Sequence, residues 1–354
     1  MSKVLIDEQV LIDLANNIRT KTGSQETFKP GQMPTAVVEI PTADVSEYFN
    51  ITINNSNSNR FLERYLVKKY PILKISGSTT DLSYVFYGAK NNITLSNDSD
   101  TSKVTNWDYA FNSYAGDTIP NMNTSSATSM NYTFGSISNI TSIPNIDTSK
   151  VTSMNYIFGS CSKLLQFPNI SFAKVTKLTG AFSNCSSLVN APDINAPECT
   201  SFDSVFMNCT KLETVGDITI PKATTVYNLF SGARAITRVG LIDCSSIVDM
   251  RYILGANQYQ SYPYIDYLGG FKDIGKAYLT TQSANYSYYT VDLGWVKYNT
   301  GGLDHDSCMR VINNLYDIAT KGVQPQKLIL GSQALSNLTS EEIAIATAKG
   351  WTVS

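Results

Sequence analysis

Apolar positions recur along the middle of the chain at a nearly constant interval. One column of large apolar residues, called here the Phe column, has successive spacings of 25, 23, 24, 24, 24, 24 and 24 residues. Its members are Phe86, Phe111, Phe134, Phe158, Phe182, Phe206, Phe230 and Leu254. A unit of this length cannot bury its apolar face alone, so the pattern predicts a solenoid in which each repeat packs only on its neighbours.

Two further columns suggest the elements of one repeat. A large apolar residue stands four positions before each member of the Phe column, an interval that places both residues on one face of a helical turn. Gly, Ser or Asn follows the Phe column and favours a left-handed stop. In five repeats a short, partly β-branched segment that ends in Pro or Gly predicts a brief strand. These segments begin at Ile140, Leu164, Leu188, Leu212 and Ile236.

The columns together predict an α/β solenoid, a leucine-rich-repeat-like stack of about eight 24-residue repeats over residues 78–260. One stretch, IDTSKVTSMNYIFGSCSKLLQFPNI at residues 146–170, resembles the BspA-type bacterial surface repeats. The resemblance implies a binding scaffold, and such scaffolds carry many unrelated functions.

The sequence predicts that the N-terminal region forms a separate module. An apolar stripe predicts a helix that ends near Gly23, and a Pro-Gly break separates it from a second apolar segment. We expect residues 1–41 to form a helical anchor that docks or oligomerises, and residues 42–77 to cap the solenoid. The predicted docking residues are Val10, Leu11, Leu14, Ile18, Met33 and Val37.

The stretch LANNIRTKTGSQETFKPGQMPTAVVEI, residues 14–40, resembles the N-terminal module of tail-fibre and baseplate proteins from phages of Gram-positive bacteria. In that family the N-terminal end attaches to the virion and the distal part faces the host. The resemblance therefore implies that this chain is assembled into a phage tail.

Residues 261–354 predict a tyrosine-rich junction followed by an α/β C-terminal cap. A helix is expected over 305–320, strands over 327–331 and 351–354, and between them a helix that begins with a capping box. The segments GGFKDIGKAY, NLYDIA and IAIATAKGW resemble the endings of repeat-containing phage tail proteins. Ten of the 21 tyrosines fall between residues 252 and 298. Because Tyr suits interfaces and sugar faces, the candidate receptor contacts are Tyr259, Tyr262, Tyr264, Tyr267, Tyr286, Tyr288 and Tyr289, with packing of the junction as the alternative.

Composition narrows the possible chemistry. Lys and Arg number 27 against 29 Asp and Glu, so the chain lacks the basic surface that nucleic acids or anionic membranes normally require. There is one histidine, His305, which rules out a metal site built from several histidines. A catalytic dyad of His305 with Ser307 or Cys308 is the alternative to a solvated histidine at a helix start, and we favour the latter.

Two other polar features have both a functional and a structural interpretation. The loop SNDSDTS, residues 96–102, could supply oxygen ligands to Ca²⁺, but it lacks the glycine and terminal glutamate of an EF-hand, so a polar corner is favoured. Cys161, Cys185 and Cys209 occupy one column in which other repeats carry Ala. They could form a redox or metal ladder, and we interpret them as small buried side chains.

These observations favour a non-enzymatic tail-fibre or baseplate subunit that attaches to the virion and binds the host surface. No cofactor and no metal are expected. The predicted partners are other tail proteins and a host wall glycopolymer or surface protein, with a homo-oligomer, a trimer by analogy. The N-terminus lacks the apolar core of a signal peptide, so we expect synthesis in the host cytoplasm and action outside the cell. The alternatives are a BspA-like bacterial adhesin that binds host proteins and, less favoured, a wall-degrading enzyme.

Overall fold

The chain winds into a parallel β-solenoid of about ten turns that is mostly sheet with little helix. The computed structural model describes residues 52–53, 72–90, 92–248, 253–254, 265, 267–276, 290–293, 303–321 and 325–354. The predicted N-terminal helical anchor, with Val10, Leu11, Leu14, Ile18, Met33 and Val37, lies outside the described residues. The expected solenoid is therefore confirmed, and the turns number about ten where eight repeats were predicted.

The strands are short, as expected for solenoid turns that reverse direction every few residues. They are β1 Thr52–Ile53, β2 Ile72–Ile75, β3 Thr94–Leu95, β4 Asn190–Ala191, β5 Ile194–Asn195, β6 Thr214–Val215, β7 Ile218–Thr219, β8 Arg238–Val239, β9 Ile242–Asp243, β10 Tyr267–Leu268, β11 Phe271–Lys272, β12 Thr290–Asp292, β13 Gln326–Ile329 and β14 Trp351–Val353. They form four parallel sheets in the orders β1-β2-β3, β10-β8-β6-β4, β11-β9-β7-β5 and β12-β13-β14.

The predicted strand before each Pro or Gly corner is present in only part of the stack. The predicted strand is observed as β4, β6 and β8 in three repeats. The segments that begin at Ile140 and Leu164 contain no strand. A second strand directly after the corner, in β5, β7 and β9, was not predicted. The glycine at the corner leaves room for the neighbouring turn: a Cβ on Gly216 would lie 2.2 Å from Oδ1 of Asp193.

The helical turn predicted at the Phe column is wrong. The segment is a run of hydrogen-bonded turns in which alternate backbone N–H groups donate to the next turn of the solenoid, as in Tyr84 N to Asp108 O (3.0 Å) and Phe86 N to Ala110 O (2.8 Å). Two residues four positions apart have left-handed backbone, with φ of 58° at Tyr84 and 65° at Gly88. A right-handed helix cannot continue through such residues. The two apolar residues four positions apart therefore lie on hydrogen-bonded turns and not on a helix.

The Phe column forms the centre of the core. Its rings are buried and lie over one another along the solenoid axis, with centroids 4.7 to 5.8 Å apart from Phe86 to Phe230. Aromatic pairs at such distances contribute about 0.5–1.5 kcal/mol each beyond the area they bury. The second apolar column is also fully buried, as predicted, at Ile140, Leu164, Leu188, Leu212 and Ile236.

Buried threonines join the turns in the first part of the stack. The hydroxyl of Thr148 donates to the carbonyl oxygen of Ser171 (3.0 Å) and accepts from the backbone N–H of the same residue (2.7 Å). Thr124 makes the same pair of bonds to Asp147, and Thr101 to Asn123. We call these three residues the threonine clamps. Each replaces the missing strand pairing with two side-chain hydrogen bonds.

The C-terminal part contains helices α1 His305–Asn313, α2 Ser332–Ser336 and α3 Ser340–Ala348. The predicted extension of α1 to residue 320 is wrong, because Asn314 ends the helix and its side-chain amide donates to Arg310 O (2.7 Å). The predicted capping box is present: Thr339 and Glu342 exchange side-chain and backbone hydrogen bonds at the start of α3.

One polar contact joins α1 to α3. Nε2 of His305 lies 2.8 Å from Oε1 of Glu342, and Nδ1 lies 3.2 Å from Oδ1 of Asp306. Hydrogen bonds to Asp306 and then to Glu342 raise the pKa of His305 above 6.5. Bonds from the Thr339 backbone and then from His305 lower the pKa of Glu342 below 4.5.

Replacing Thr148 by Val should lower the free energy of unfolding by about 1–3 kcal/mol, because the N–H and carbonyl of Ser171 lose a buried partner. Urea unfolding followed by circular dichroism measures the change. The matched control is Thr152→Val, which removes an exposed hydroxyl that donates to Thr128 O (3.2 Å) and should cost less. Equal losses in the two variants would contradict the clamp.

The contact of His305 with Glu342 should make stability depend on pH. Because the folded pKa of His305 is raised, its contribution is complete below about pH 6.5 and disappears as pH rises through the folded pKa. Since the pKa of Glu342 is lowered, its contribution to stability is complete above about pH 4.5. That contribution disappears as the pH falls through the folded pKa. The melting temperature of His305→Gln should therefore differ more from that of the unaltered chain at pH 5.5 than at pH 8.5. A difference that is the same at both values would contradict this linkage.

Candidate functional site

Four tyrosines form a stacked row on the surface of the solenoid. We call Tyr84, Tyr109, Tyr132 and Tyr156 the tyrosine row. Successive ring centroids lie 4.7, 4.7 and 4.9 Å apart, and the interplanar angles are 4°, 6° and 15°. All four side chains are partly buried. The row runs parallel to the buried Phe stack because each tyrosine stands two residues before a member of the Phe column.

Every residue of the tyrosine row has left-handed backbone, with φ between 51° and 58°. Bulky side chains rarely adopt this conformation. Later turns make the same bend with residues that carry no ring, namely Gly180, Ser204 and Asn228, at φ of 55° to 63°. The turn itself therefore does not require an aromatic residue.

The cost of the backbone and the gain from the rings are of similar size. A left-handed residue other than glycine costs roughly 1–2 kcal/mol. Each stacked pair contributes about 0.5–1.5 kcal/mol, and burial of ring area adds to this. Stacking therefore offsets part of the strain of the four left-handed residues. Asn adopts the same conformation at position 228, and Asn tolerates it better than a bulky residue does.

The two ends of the row differ. At one end the ring of Tyr87 tilts against Tyr84, with centroids 5.8 Å apart. At the other end the ring of Tyr156 lies across Gly180, where a Cβ would come within 2.2 Å of Cε1. The glycine thus makes room for the last ring.

A row of polar side chains lies beside the tyrosines and is occupied by contacts between turns. Oδ1 of Asp108 accepts from Ser129 Oγ (2.7 Å) and from the backbone N–H of Asn131 (2.8 Å). Oδ1 of Asn131 accepts in the same way from Ser153 Oγ (2.7 Å) and Asn155 N (3.0 Å). These bonds hold the tyrosines at the spacing of the turns.

The tyrosine row presents uncharged hydroxyl groups. Within the described part of the chain, the hydroxyls of Tyr109, Tyr132 and Tyr156 make no hydrogen bond to another residue. Desolvation by the surrounding protein, followed by the neighbouring tyrosines, raises the pKa of Tyr109 and of Tyr132. Since ring faces cover one another, the outward surface consists of ring edges and hydroxyls.

The sequence prediction placed the receptor contacts elsewhere. Of the seven predicted tyrosines, Tyr259, Tyr262, Tyr264, Tyr286, Tyr288 and Tyr289 lie outside the described residues, and Tyr267 is described. The Tyr267 ring lies between two guanidinium groups, with Arg238 Cζ at 3.8 Å and Arg310 Cζ at 4.3 Å. This sandwich joins β8, β10 and α1, so Tyr267 packs the junction.

The residues considered for catalysis have structural contacts. The hydroxyl of Ser307 is buried and accepts from the backbone N–H of Leu268 (3.0 Å) and from Nη2 of Arg310 (2.9 Å). Burial raises the pKa of the Cys308 thiol to about 12. His305 is turned to Asp306 and Glu342 instead.

The cysteine column is buried. The thiols of Cys161, Cys185 and Cys209 donate to backbone carbonyl oxygens of the preceding turn at 2.9 to 3.1 Å. Desolvation raises the pKa of Cys161 and Cys209 to about 12 and that of Cys185 well above 9.0. This is the environment of packing residues, because the reactive form of cysteine is the thiolate.

The acidic loop at residues 96–102 uses its carboxylates within the fold. Asp98 pairs with Lys74 of the preceding turn and accepts from Ser96, and Asp100 accepts from the backbone N–H of Ser102. These bonds lower the pKa of both aspartates. Among the residues that the structure describes, no group of three acidic, His or Cys side chains is placed to hold a metal. In the same part of the chain, no helix has the length and hydropathy needed to cross a membrane.

The tyrosine row was missed by sequence reasoning, although its signal was present. Tyrosine occurs at the same position of four consecutive repeats, two residues before the Phe column. This column is visible once the repeats are aligned on the Phe column.

Comparison with known protein families matches residues 80–196 and 163–263, together just over half of the chain, to the family described as Mycoplasma protein of unknown function, DUF285. Searches among curated proteins and among solved structures find no match. The matched residues include the Phe column, the tyrosine row and the threonine clamps. The chain therefore belongs to the DUF285 family, which is associated with BspA-like repeat proteins.

Proposed function

We propose that this chain is a non-enzymatic receptor-binding protein whose solenoid contacts a cell-surface glycopolymer through the tyrosine row. The observation that carries the proposal is the repeated choice of tyrosine at a left-handed position. Gly180, Ser204 and Asn228 make the same turn without a ring. Strained backbone positions cluster at binding and active sites, so four strained aromatic residues in one row support a contact surface.

The geometry of the row favours an extended, uncharged and hydroxylated ligand. Each turn supplies one hydroxyl group, carried by rings whose centroids lie 4.7 to 4.9 Å apart along the solenoid. A polymer that lies along the axis can therefore make the same hydrogen bond at several turns. Stacking of a sugar on a ring face is not the main contact, because neighbouring rings cover those faces.

The chemistry of the remaining polar groups supports a binding role over catalysis. The buried thiols with raised pKa are poor nucleophiles, and the single histidine is hydrogen-bonded to two carboxylates. A surface protein of the host is the second possible receptor. It would use the same tyrosines, since Tyr is enriched where protein interfaces concentrate their binding energy.

The finer assignment is a tail-fibre or baseplate subunit of a phage. It is supported by the resemblance of residues 14–40 to virion-attachment modules, and it places the protein in the virion tail, with other tail proteins and further copies of this chain as partners. A trimer is proposed by analogy with phage fibres. The alternative, a BspA-like surface adhesin of a bacterium, is favoured by the family match, since that family is described from Mycoplasma.

Replacing Tyr109 and Tyr132 together by Asn should weaken binding to Gram-positive cells and their isolated wall polymers at least tenfold. Loss of about 1.4 kcal/mol of contact is enough for this change. Because Asn tolerates the left-handed conformation and already occupies it at position 228, the melting temperature should change little. Binding is measured by pull-down with labelled protein, and stability by calorimetry.

The matched control is the double variant Thr105→Asn and Thr128→Asn, which alters two exposed residues of consecutive turns outside the row. It should bind as the unaltered chain does. A third variant, with Tyr262, Tyr264, Tyr288 and Tyr289 changed to Ala, tests the contacts predicted from the sequence. Undiminished binding of the row variant would overturn the proposed site, and loss only in the third variant would move it to the C-terminal tyrosines.

Deleting residues 1–41 should abolish incorporation into phage particles while the solenoid stays folded, because the docking residues are removed and the core columns are untouched. Mass spectrometry of purified particles and circular dichroism of the truncated chain measure the two effects. The row variant serves as control and should be incorporated normally. Incorporation of the truncated chain, or detection of the intact protein on bacterial cells that carry no phage, would favour the adhesin.

A further inference from the structure

On one face of the solenoid, two consecutive turns are not joined by hydrogen bonds. Among the described residues, no hydrogen bond connects 163–175 with 187–199. The preceding pair of turns is joined there by Leu165 N to Thr141 O (3.0 Å), and the following pair by Ile194 N to Asp217 O (2.7 Å). We call this interruption the seam.

The seam has a cause in the sequence. The threonine clamps end at Thr148, and the next residue of that column is Phe172, which is buried and has no hydroxyl to bridge the turns. Strand pairing begins only with β4 and β5, which are the edge strands of their sheets within the described residues. The seam is thus the junction between turns joined by side chains and turns joined by strands.

A cavity of about 500 Å³ opens to solvent at the seam. Its apolar lining includes Phe167, Ile170, Phe172 and Pro192. One face of the Phe167 ring is covered by Phe182, with centroids 4.5 Å apart, and the ring remains partly exposed. The cavity therefore contains a fixed, partly accessible aromatic side chain.

Four polar side chains line the same cavity, and the hydroxyl of Ser171 accepts from the backbone N–H of Ala173 (3.4 Å). Asn169 and Asn195 are exposed, and neither side chain makes a hydrogen bond to a described residue. Oδ1 of Asp193 accepts from the backbone N–H of Asp217 (2.8 Å), and Oδ2 accepts from no residue in the described ranges. Two amide groups and a carboxylate oxygen are therefore available beside an aromatic ring.

We propose that this cavity binds one neutral saccharide unit of the surface glycan, an inference that rests on the proposed function and names its ligand class. A pyranose ring offers a C–H face to Phe167 and hydroxyls to Asn169, Asp193 and Asn195. The volume lies within the range of small-ligand sites, which combine aromatic side chains with polar groups that orient the ligand. The carboxylate of Asp193 disfavours an anionic ligand, and the amides disfavour a purely apolar one.

The test uses the full chain and three neutral tetrasaccharides, cellotetraose, chitotetraose and maltotetraose, titrated to about 10 mM to detect millimolar affinity. Saturation-transfer NMR detects contact, and calorimetry gives the dissociation constant. At least one tetrasaccharide should bind. The variants Asn169→Ala and Asn195→Ala should each weaken it about fivefold, the effect of one neutral hydrogen bond. Phe167→Leu should abolish the saturation-transfer signal of the protons on the sugar ring.

The row variant, with Tyr109 and Tyr132 changed to Asn, separates this site from the proposed function. It should keep tetrasaccharide binding while it loses binding to cells, so failure at the cavity and failure at the tyrosine row give different results. Absence of binding by all three tetrasaccharides would overturn the saccharide site. So would binding that Asn169→Ala and Asn195→Ala leave unchanged, or capture of indole at this cavity without any saccharide. Melting temperatures of the two asparagine variants confirm that each protein is folded, because both residues are exposed.

Discussion

Hydrogen bonding between successive turns at a constant register is the constraint on which this structure depends. Backbone N–H groups donate to residues about 24 positions further on along one part of each turn and about 24 positions earlier along another, so residues lie over their counterparts in the neighbouring repeats. A change of one residue in this register would move each apolar column off the core. The backbone hydrogen bonds therefore require a nearly constant repeat length. Each side chain then has to pack against the side chain at the same position of the next repeat.

The rows of the solenoid follow from this constraint. Phenylalanines stack on phenylalanines in the core, buried thiols repeat above one another, and tyrosines stack on the surface. In the core the arrangement stabilises the fold, because rings bury area and contact each other. On the surface the same repetition produces a regular series of hydroxyl groups on residues whose left-handed backbone costs stability. Repetition thus turns one residue choice into an extended row of stacked rings and hydroxyl groups.

Interruptions of the hydrogen-bonding pattern are as informative as its continuity. The threonine clamps and the paired strands both provide hydrogen bonds to backbone groups of the neighbouring turn. Along the solenoid, the clamps are followed by the strands. The change occurs where Phe172 replaces a threonine, and the cavity lined by Phe167, Asn169 and Asn195 lies at that place. The cavity is a consequence of this change, because the turns are not held together by hydrogen bonds where it opens.

The sequence by itself determined the repeat, the stacked architecture and the buried columns, because period and hydropathy are local properties that any solenoid of this spacing must satisfy. It also indicated the capping box of α3 and the packing role of the cysteines. The tertiary structure decided the rest. An i, i+4 apolar pair fits a helical turn and the observed run of turns equally well, and only the sign of φ at residues such as Tyr84 separates them. The stacking of the tyrosine row, the sandwich of Tyr267 between two arginines and the seam all depend on which residues the turns bring together, and spacing along one chain does not fix those contacts.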